Sequence, residues 1–293
     1  MDRRTSTGLD TFHPASVAVY LLTVALLTMF LPNPVLIFLS FLGAFCFHIA
    51  LMRKRAFRKS TLWMGILALG VVITNPLLSH RGATPVFFIN DNPITLEAIL
   101  YGVGLAFMIV AILFWFASWN VIMTSDKILF LIGRAVPRLS LVLSMALHFF
   151  PMFGRRWKEL RAAQAALGYE SRGIRATLQQ FMALLSWSLE HAVILSRSMQ
   201  ARGHELHGHT HYAKFRMEKR DVWLMLTALS LGGAVIALYA TGHLVYSFYP
   251  AVVPVPYTPA ALCGYCLFGL MVLLPALIEG REAFRWKYIL SKI

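Results

Sequence analysis

The sequence predicts an all-α membrane protein with about six transmembrane helices. Hydrophobic residues make up 58% of the 293 residues, charged residues only 14%, and the mean hydropathy is +0.65. Several apolar runs also reach the ~17 to 25 residues that a helix needs to cross the hydrocarbon layer. This composition excludes an ordinary water-soluble domain and leaves a net charge of +14 to be explained.

Six apolar runs are the candidate spans, and the first of them is marginal in length. They are residues 17–31, 35–52, 62–78, 100–123, 222–244 and 260–278. The first run does not read as a secretory signal, because no small-residue cleavage site follows it and "LPNPV" leads directly into the second run.

The positions of lysine and arginine predict the orientation, since short loops rich in them stay in the cytoplasm. With six spans and the N-terminus inside, Arg81 is the one external residue among the 27 lysines and arginines. The last external loop, residues 245–259, has no charged residue. We therefore expect both termini to be cytoplasmic and the basic residues to face the cytoplasm and anionic lipid of the bilayer, with no nucleic-acid partner.

The spans contain few ionisable groups of the kind that coupling ions or catalysis require. For His48 and His243 we expect packed, hydrogen-bonded side chains rather than a proton relay. Cys263 and Cys266 form a lone "CGYC" without a second pair, which favours close helix packing over a metal or redox site. The spans are therefore expected to serve as a scaffold.

Two proline-containing stretches on the external side predict helix ends. Pro76 is expected to break or kink the third span, with Asn75 bonding a freed carbonyl. In "NDNPITLEA", Asn92 is expected to cap a helix that has Pro93 at its first position. These residues either only end helices or also shape a partner surface, and the pattern leaves both open.

A central block divides the chain into three predicted parts. Residues 1–123 form a four-span scaffold, residues 124–220 a cytoplasmic module, and residues 221–293 two further spans and a tail. The block is too long for a connecting loop. It predicts two long amphipathic helices between the fourth and fifth spans, over residues 155–168 and 176–203. The apolar face of the second comprises Leu178, Phe181, Leu185, Leu189 and Val193.

Each of these helices ends at a glycine where a left-handed cap is expected. The two endings are Ala166, Leu167 and Gly168, and Ala201, Arg202 and Gly203. Helix ends of this kind are suited to docking. Arg202 also has a local explanation, because a cation in the last turn interacts with the helix dipole by ~0.3 to 1 kcal/mol.

Five motifs in fixed order resemble the transmembrane T component of energy-coupling factor (ECF) ABC transporters. They are "TNPLLSHRG" with Asn75 and Pro76, "NPITLEA", "GRAVPRLSLVLSMALHFFP" with Pro137 and Pro151, "AQAALGYE" and "SMQARGHELHGHT". The resemblance covers about residues 70 to 220, and the flanking spans are similar only in character.

The resemblance implies a non-catalytic subunit in a prokaryotic cell membrane. Such a subunit joins two cytoplasmic ABC ATPase subunits to a small membrane S component that captures a vitamin or metal ion. ATP and Mg would be bound by the ATPases and no cofactor by this chain, which has no GxxxxGK[ST] phosphate loop.

The resemblance also implies that the two amphipathic helices are coupling helices whose Ala-Arg-Gly ends dock in ATPase grooves. Arg202 is then the anchor of the second helix. The first ending departs from the motif, because Leu167 stands in the arginine position, and Arg172 is the nearest cation able to replace it. We expect the Leu167 end to dock through apolar and backbone contacts, so the two grooves should differ.

A histidine cluster follows the second ending. For His204, His207, His209 and His211 we expect a solvated loop rather than a metal site, because no acid or cysteine completes a ligand set. Two alternatives stay open. One is a T component dedicated to cobalt or nickel uptake, and the other is a membrane metalloenzyme that uses these histidines with Glu205 or Glu190.

Overall fold

The computed structural model describes residues 8–51, 54–79, 82–89, 92–168, 173–203, 215–249 and 253–290. Within these ranges the chain forms nine α-helices, two short strands and a 3-10 turn at Gly8–Thr11. The helices are α1 (Pro14–Phe30), α2 (Pro34–Leu51), α3 (Lys54–Leu78), α4 (Leu96–Ile122), α5 (Ser125–Ala135), α6 (Pro137–Ala166), α7 (Ile174–Ala201), α8 (Lys219–Ala240) and α9 (Pro259–Leu290).

The chain divides into two compact units. One comprises Met1–Lys127 and Phe215–Ile293, and we call it the membrane unit. The other comprises Ile128–Lys214, and we call it the helical module. The module contains most of α5 together with α6 and α7, whereas the remaining helices belong to the membrane unit.

The protein is an all-α membrane protein, as the composition predicts. Among the described residues, five helices are long and apolar enough to cross a membrane, and they belong to α2, α3, α4, α8 and α9. The remaining predicted span, residues 17–31, corresponds to α1, whose 17 residues measure about 26 Å along the axis. This is shorter than the ~30 Å hydrocarbon layer, in agreement with its marginal apolar run.

Close contacts between helices position the core of the membrane unit. A Cβ atom at Gly43 of α2 would lie 2.0 Å from Cγ1 of Val272 in α9, so these two helices meet where a side chain is absent. Trp115 of α4 is buried and donates from Nε1 to Oγ of Ser40 in α2 at 3.1 Å. Tyr20 of α1 donates to the carbonyl of Met271 in α9. The indole of Trp115 and the hydroxyl of Tyr20 are thus paired between helices, as an apolar environment requires.

The structure corrects the helix start predicted at Asn92 and Pro93. Two antiparallel strands, β1 (Pro85–Ile89) and β2 (Asn92–Thr95), occupy this region, and α4 begins only at Leu96. Thr95 is the N-cap, because its side chain accepts from the amide of Ala98. The run "PVFFI" favours a strand, and a two-stranded sheet tolerates proline at an edge, so pairing overrides the capping signal.

The expectation for Asn75 and Pro76 also needs correction. Pro76 lies inside α3, which ends two residues later. Asn75 donates from Nδ2 to the carbonyl of Ala98 in α4 at 3.0 Å, not to a carbonyl of its own helix. The close approach depends on Gly102, where a Cβ atom would lie 3.2 Å from the Asn75 side chain. Asn75 therefore joins α3 to α4.

The prediction of a packed, buried side chain is confirmed for His48 and wrong for His243. The packing predicted for Cys263 and Cys266 is also wrong. His48 is fully buried, with Nδ1 3.4 Å from Oγ of Ser118, as expected for a packed histidine. His243 is instead exposed in the turn after α8. Cys263 and Cys266 are exposed on α9, so the prediction that they permit close helix packing is wrong for the described helices.

Candidate functional site

The helical module is built around an antiparallel pair of long helices, α6 and α7. Gln180 near the start of α7 donates from Nε2 to Oε1 of Gln164 near the end of α6, at 2.6 Å. Further along, the rings of Phe149 in α6 and His191 in α7 lie 5.7 Å apart. These two contacts fix the antiparallel direction.

An aromatic cluster holds the middle of the pair together. Trp187 and His191 stack at 5.1 Å, and the ring of Phe153 meets that of Trp187 edge-on at 6.1 Å. The guanidinium of Arg156 lies 5.5 Å from the centre of the Trp187 ring, which adds a cation–π contact. The apolar pattern of α6 and α7 does not mark these residues as a cluster. The sequence signal that could have found the cluster is a four-residue spacing, between Phe149 and Phe153 in α6 and between Trp187 and His191 in α7. This spacing places both rings of each pair on one face of the helix.

The helix α6 is longer than the sequence predicted. It was expected to begin near residue 155, but it starts at Pro137 and continues through Pro151. Pro137 occupies one of the first two helical positions, where a missing amide hydrogen costs nothing. Pro151 removes one amide donor, and the helix continues beyond it for fifteen residues.

Both predicted glycine caps are confirmed. Gly168 has φ of +75° and Gly203 has φ of +78°, a region where glycine has no Cβ penalty. The amide of Gly168 donates to the carbonyl of Ala165 at 3.1 Å, and the amide of Gly203 to that of Gln200 at 2.9 Å. The two helices therefore end in the same way, with the last carbonyls partly satisfied by the turn itself.

The residues next to these glycines are exposed. The side chain of Leu167 is 74% exposed, and Ala166 and Ala201 are exposed as well. Arg202 is exposed, and its guanidinium makes no hydrogen bond or ion pair with another described residue. Within the described ranges the Arg202 guanidinium therefore does not bond the last carbonyls of α7, and its local explanation rests on the interaction with the helix dipole alone.

The two glycine-capped ends lie at opposite ends of the helix pair. Gly168 closes α6 five residues before Gly173, which precedes α7. At 1.5 Å per residue, the 28 residues of α7 carry the chain about 42 Å away before Gly203. The pair is thus a rod with one apolar end at Leu167 and one cationic end at Arg202.

The predicted apolar face of α7 is present, and its side chains are exposed. Gln180, Trp187 and His191 face α6, whereas the apolar stripe lies on roughly the opposite side of the helix. Its members, each between 42% and 82% exposed, are Ile174, Leu178, Phe181, Met182, Leu185, Leu189 and Val193. A stripe of this size favours an apolar partner or lipid.

A groove of about 450 Å³ lies beside the start of α7. Trp157 of α6 lines one part of it, and Ile174, Leu178 and Phe181 of α7 line another. It belongs to the same part of the rod as the Leu167 end. The apolar character of that end is therefore continued by the groove.

The other residues singled out from the sequence lie elsewhere or outside the described ranges. Asn75 and Pro76 belong to α3 of the membrane unit. Arg172 and the cluster of His204, His207, His209 and His211 lie outside the described residues. Within the described ranges, no three His, Cys, Asp or Glu side chains are grouped so as to hold a metal ion.

The family described as "Cobalt transport protein" (CbiQ) matches residues 7–212. The chain belongs to the CbiQ family. The match confirms the resemblance to ECF T components. It also begins earlier than expected, because it includes α1 to α3, whose spans resembled the family only in character. No curated protein matches the sequence. The CbiQ match includes both glycine-capped ends and stops before α8.

Proposed function

We propose that this CbiQ-family chain is the energy-coupling transmembrane subunit of an ECF-type ABC importer. In this function the rod of α6 and α7 passes the ATP-driven motion of two cytoplasmic ATPases to a small membrane S component that binds a vitamin or micronutrient. The observation that carries the proposal is the pair of exposed, glycine-capped helix ends about 42 Å apart. Two separated ends suit two separate docking partners.

Arg202 is proposed as the charged contact at one end. Its guanidinium is exposed and has no ion-pair partner among the described residues. Arginine's planar fork holds a carboxylate through two hydrogen bonds, which lysine does not do. We therefore propose that an acidic side chain in one ATPase groove receives it, and that this ATPase binds ATP and Mg.

The Leu167 end is proposed to dock through apolar contacts. Its side chain is 74% exposed, and the groove lined by Trp157, Ile174 and Phe181 lies in the same part of the rod. An apolar end and a cationic end do not fit equally well into identical grooves. The two ATPases are accordingly proposed to differ in sequence at these grooves.

The part of the exposed apolar stripe of α7 that lies beyond the groove supports an S component as the third partner. Its surface lacks charge from Met182 to Leu189 on that face, and a membrane helix supplies a matching apolar surface. We place the assembly in a prokaryotic cell membrane with both termini cytoplasmic, in keeping with the distribution of lysine and arginine.

A dedicated cobalt or nickel importer is the second candidate, because the matched family is described as a cobalt transport protein. It differs from the first proposal only in the S component. In either case the substrate is bound by the partner.

ATP-driven uptake by the reconstituted complex tests the proposal. We expect Arg202→Glu to abolish uptake, since it reverses the charge at the docking end. The matched control is Arg197→Glu, which makes the same charge change at an exposed position of α7 before its final turn. Uptake at the wild-type rate in Arg202→Glu would refute the proposed contact.

A further inference from the structure

An N-terminal strap, residues 8–13, is bound by side chains that lie far away in the sequence. The amides of Gly8 and Leu9 donate to the two carboxylate oxygens of Glu279 at 3.1 and 2.9 Å. Glu279 belongs to α9 and is only 5% exposed. A Cβ atom at Gly8 would lie 2.8 Å from Cγ of Glu282, so the strap lies directly on α9.

The middle of the strap binds the first turn of α5. Lys127 donates from Nζ to Oδ1 of Asp10 at 2.6 Å and to the Asp10 carbonyl at 3.1 Å. The Lys127 side chain is 5% exposed, whereas that of Asp10 is 39% exposed. A buried ammonium group needs a charged or polar partner, so Asp10 is the group that keeps Lys127 in place.

The end of the strap binds the first turn of α8. Oδ1 of Asp221 accepts the amide of His13 at 2.8 Å, while Oδ2 accepts the amide of Glu218 at 2.8 Å. Arg220 donates from Nη2 to the carbonyl of Thr11 at 3.2 Å. Asp221 is 1% exposed, so its carboxylate joins the strap and the start of α8 inside the protein.

These contacts fall next to the two places where the chain passes between the membrane unit and the helical module. The chain leaves the membrane unit after Lys127 and returns to it at Phe215, shortly before Asp221. Asp10 and His13, which bind Lys127 and Asp221, are three residues apart. Their Cα atoms therefore lie within about 11 Å of each other. One short segment joins the outgoing connection, the returning connection and α9.

We propose that the strap fixes the two connections that lead to and from the helical module, with Lys127 and Asp221 as positioning residues. This inference rests on the proposed coupling function and deepens it. Motion of the module reaches the membrane helices only if the two connections do not shift by themselves. The strap restrains both connections, and Glu279 links them to α9. Lys127 thus acts through Asp10, without contacting an ATPase or a substrate.

Two measurements on Lys127→Met test the proposal, since methionine keeps the length of the side chain and removes the buried charge. The first is hydrogen–deuterium exchange of the chain alone in detergent. We expect exchange to rise at least tenfold in residues 8–13 and 125–132 and to stay unchanged in α2. The second compares ATP hydrolysis with uptake in the reconstituted complex, where we expect uptake to fall at least fivefold while hydrolysis stays within twofold of wild type.

Two further variants serve as controls. Asp10→Glu keeps a carboxylate for Lys127 and is expected to leave both readouts near wild-type values. Glu159→Gln removes an exposed ion pair with Arg156, 2.9 Å long and within the module, and is expected to change neither.

The possible outcomes separate the anchor from the coupling function. Unchanged exchange in residues 8–13 of Lys127→Met would overturn the anchor, as would increased exchange throughout α2, which indicates general unfolding. Wild-type uptake in this variant would also overturn it. A wild-type complex without ATP-driven uptake would instead refute the proposed function, while the exchange result would still decide whether the strap holds the connections.

Discussion

Gln180 and Gln164 form a 2.6 Å hydrogen bond between the two long helices of the module, near the end that Gly168 caps. Gln180 is 2% exposed, so this amide is buried in a helix that is otherwise largely exposed. The bond lies about four turns along α6 from the aromatic contact of Phe149 with His191. The rod is therefore held at two separate points.

Gln180→Leu is expected to loosen the rod at the Gly168 end. The substitution leaves the side-chain oxygen Oε1 of Gln164 without a hydrogen-bond donor, which lowers the free energy of unfolding by about 1 to 3 kcal/mol. Hydrogen–deuterium exchange of residues 155–164 and 176–184 should then rise roughly tenfold. Gln179→Leu, at an exposed neighbouring position, is the control. Equal exchange in the two variants would show that the bond does not hold the helices together.

Gly203→Ala is expected to weaken ATPase binding. Alanine at φ of +78° costs about 1 kcal/mol, because its Cβ atom crowds the backbone in the left-handed region. The frayed end should lower the affinity for the ATPases roughly fivefold in a titration with the purified subunits. Gly154→Ala is the control, since a Cβ atom inside α6 meets nothing within 4 Å. Wild-type affinity in Gly203→Ala, or an equal loss of affinity in Gly154→Ala, would contradict the prediction.

Gly43→Ala is expected to destabilise the membrane unit. The added Cβ atom would lie 2.0 Å from Cγ1 of Val272 and 2.8 Å from its backbone oxygen, so α2 and α9 must move apart. Overpacking of this kind costs about 1 to 3 kcal/mol. The midpoint of thermal aggregation in detergent should fall. Gly70→Ala in α3, where a Cβ atom has free space, should leave that midpoint unchanged.

Single cysteines in an otherwise cysteine-free chain are expected to report the orientation. Ser247→Cys lies in the loop after α8, and Ala201→Cys lies at the end of α7, both exposed. A membrane-impermeant maleimide should label the first in intact cells and the second only after permeabilisation. The reverse pattern would invert the orientation that the lysines and arginines predict.

Local patterns predicted the parts of the molecule that depend on local chemistry. The apolar runs predicted the spans, because a helix in lipid needs a continuous apolar surface. A glycine after an amphipathic stretch predicted both left-handed caps, at Gly168 and Gly203. These features need no partner from elsewhere in the chain.

Features that depend on distant partners were missed. Asn92 and Pro93 carry a helix-start signal, yet the pairing of β2 with β1 prevails. Asn75 bonds Ala98, 23 residues away, and Lys127 bonds Asp10, 117 residues away. No spacing in the sequence marks such pairs. The acids Asp10, Asp221 and Glu279 stand near span ends, where charge alone predicts only a helix boundary.

The central claim is that this chain joins two ATPases to a small membrane protein. Affinity purification from the native membrane in mild detergent, followed by mass spectrometry and metal analysis, tests it most directly. We predict two different ABC ATPase subunits and one small multispan protein in comparable amounts, with the ATPase bound through Arg202 lost from Arg202→Glu. A chain that purifies without any ATPase and carries stoichiometric metal would contradict the account.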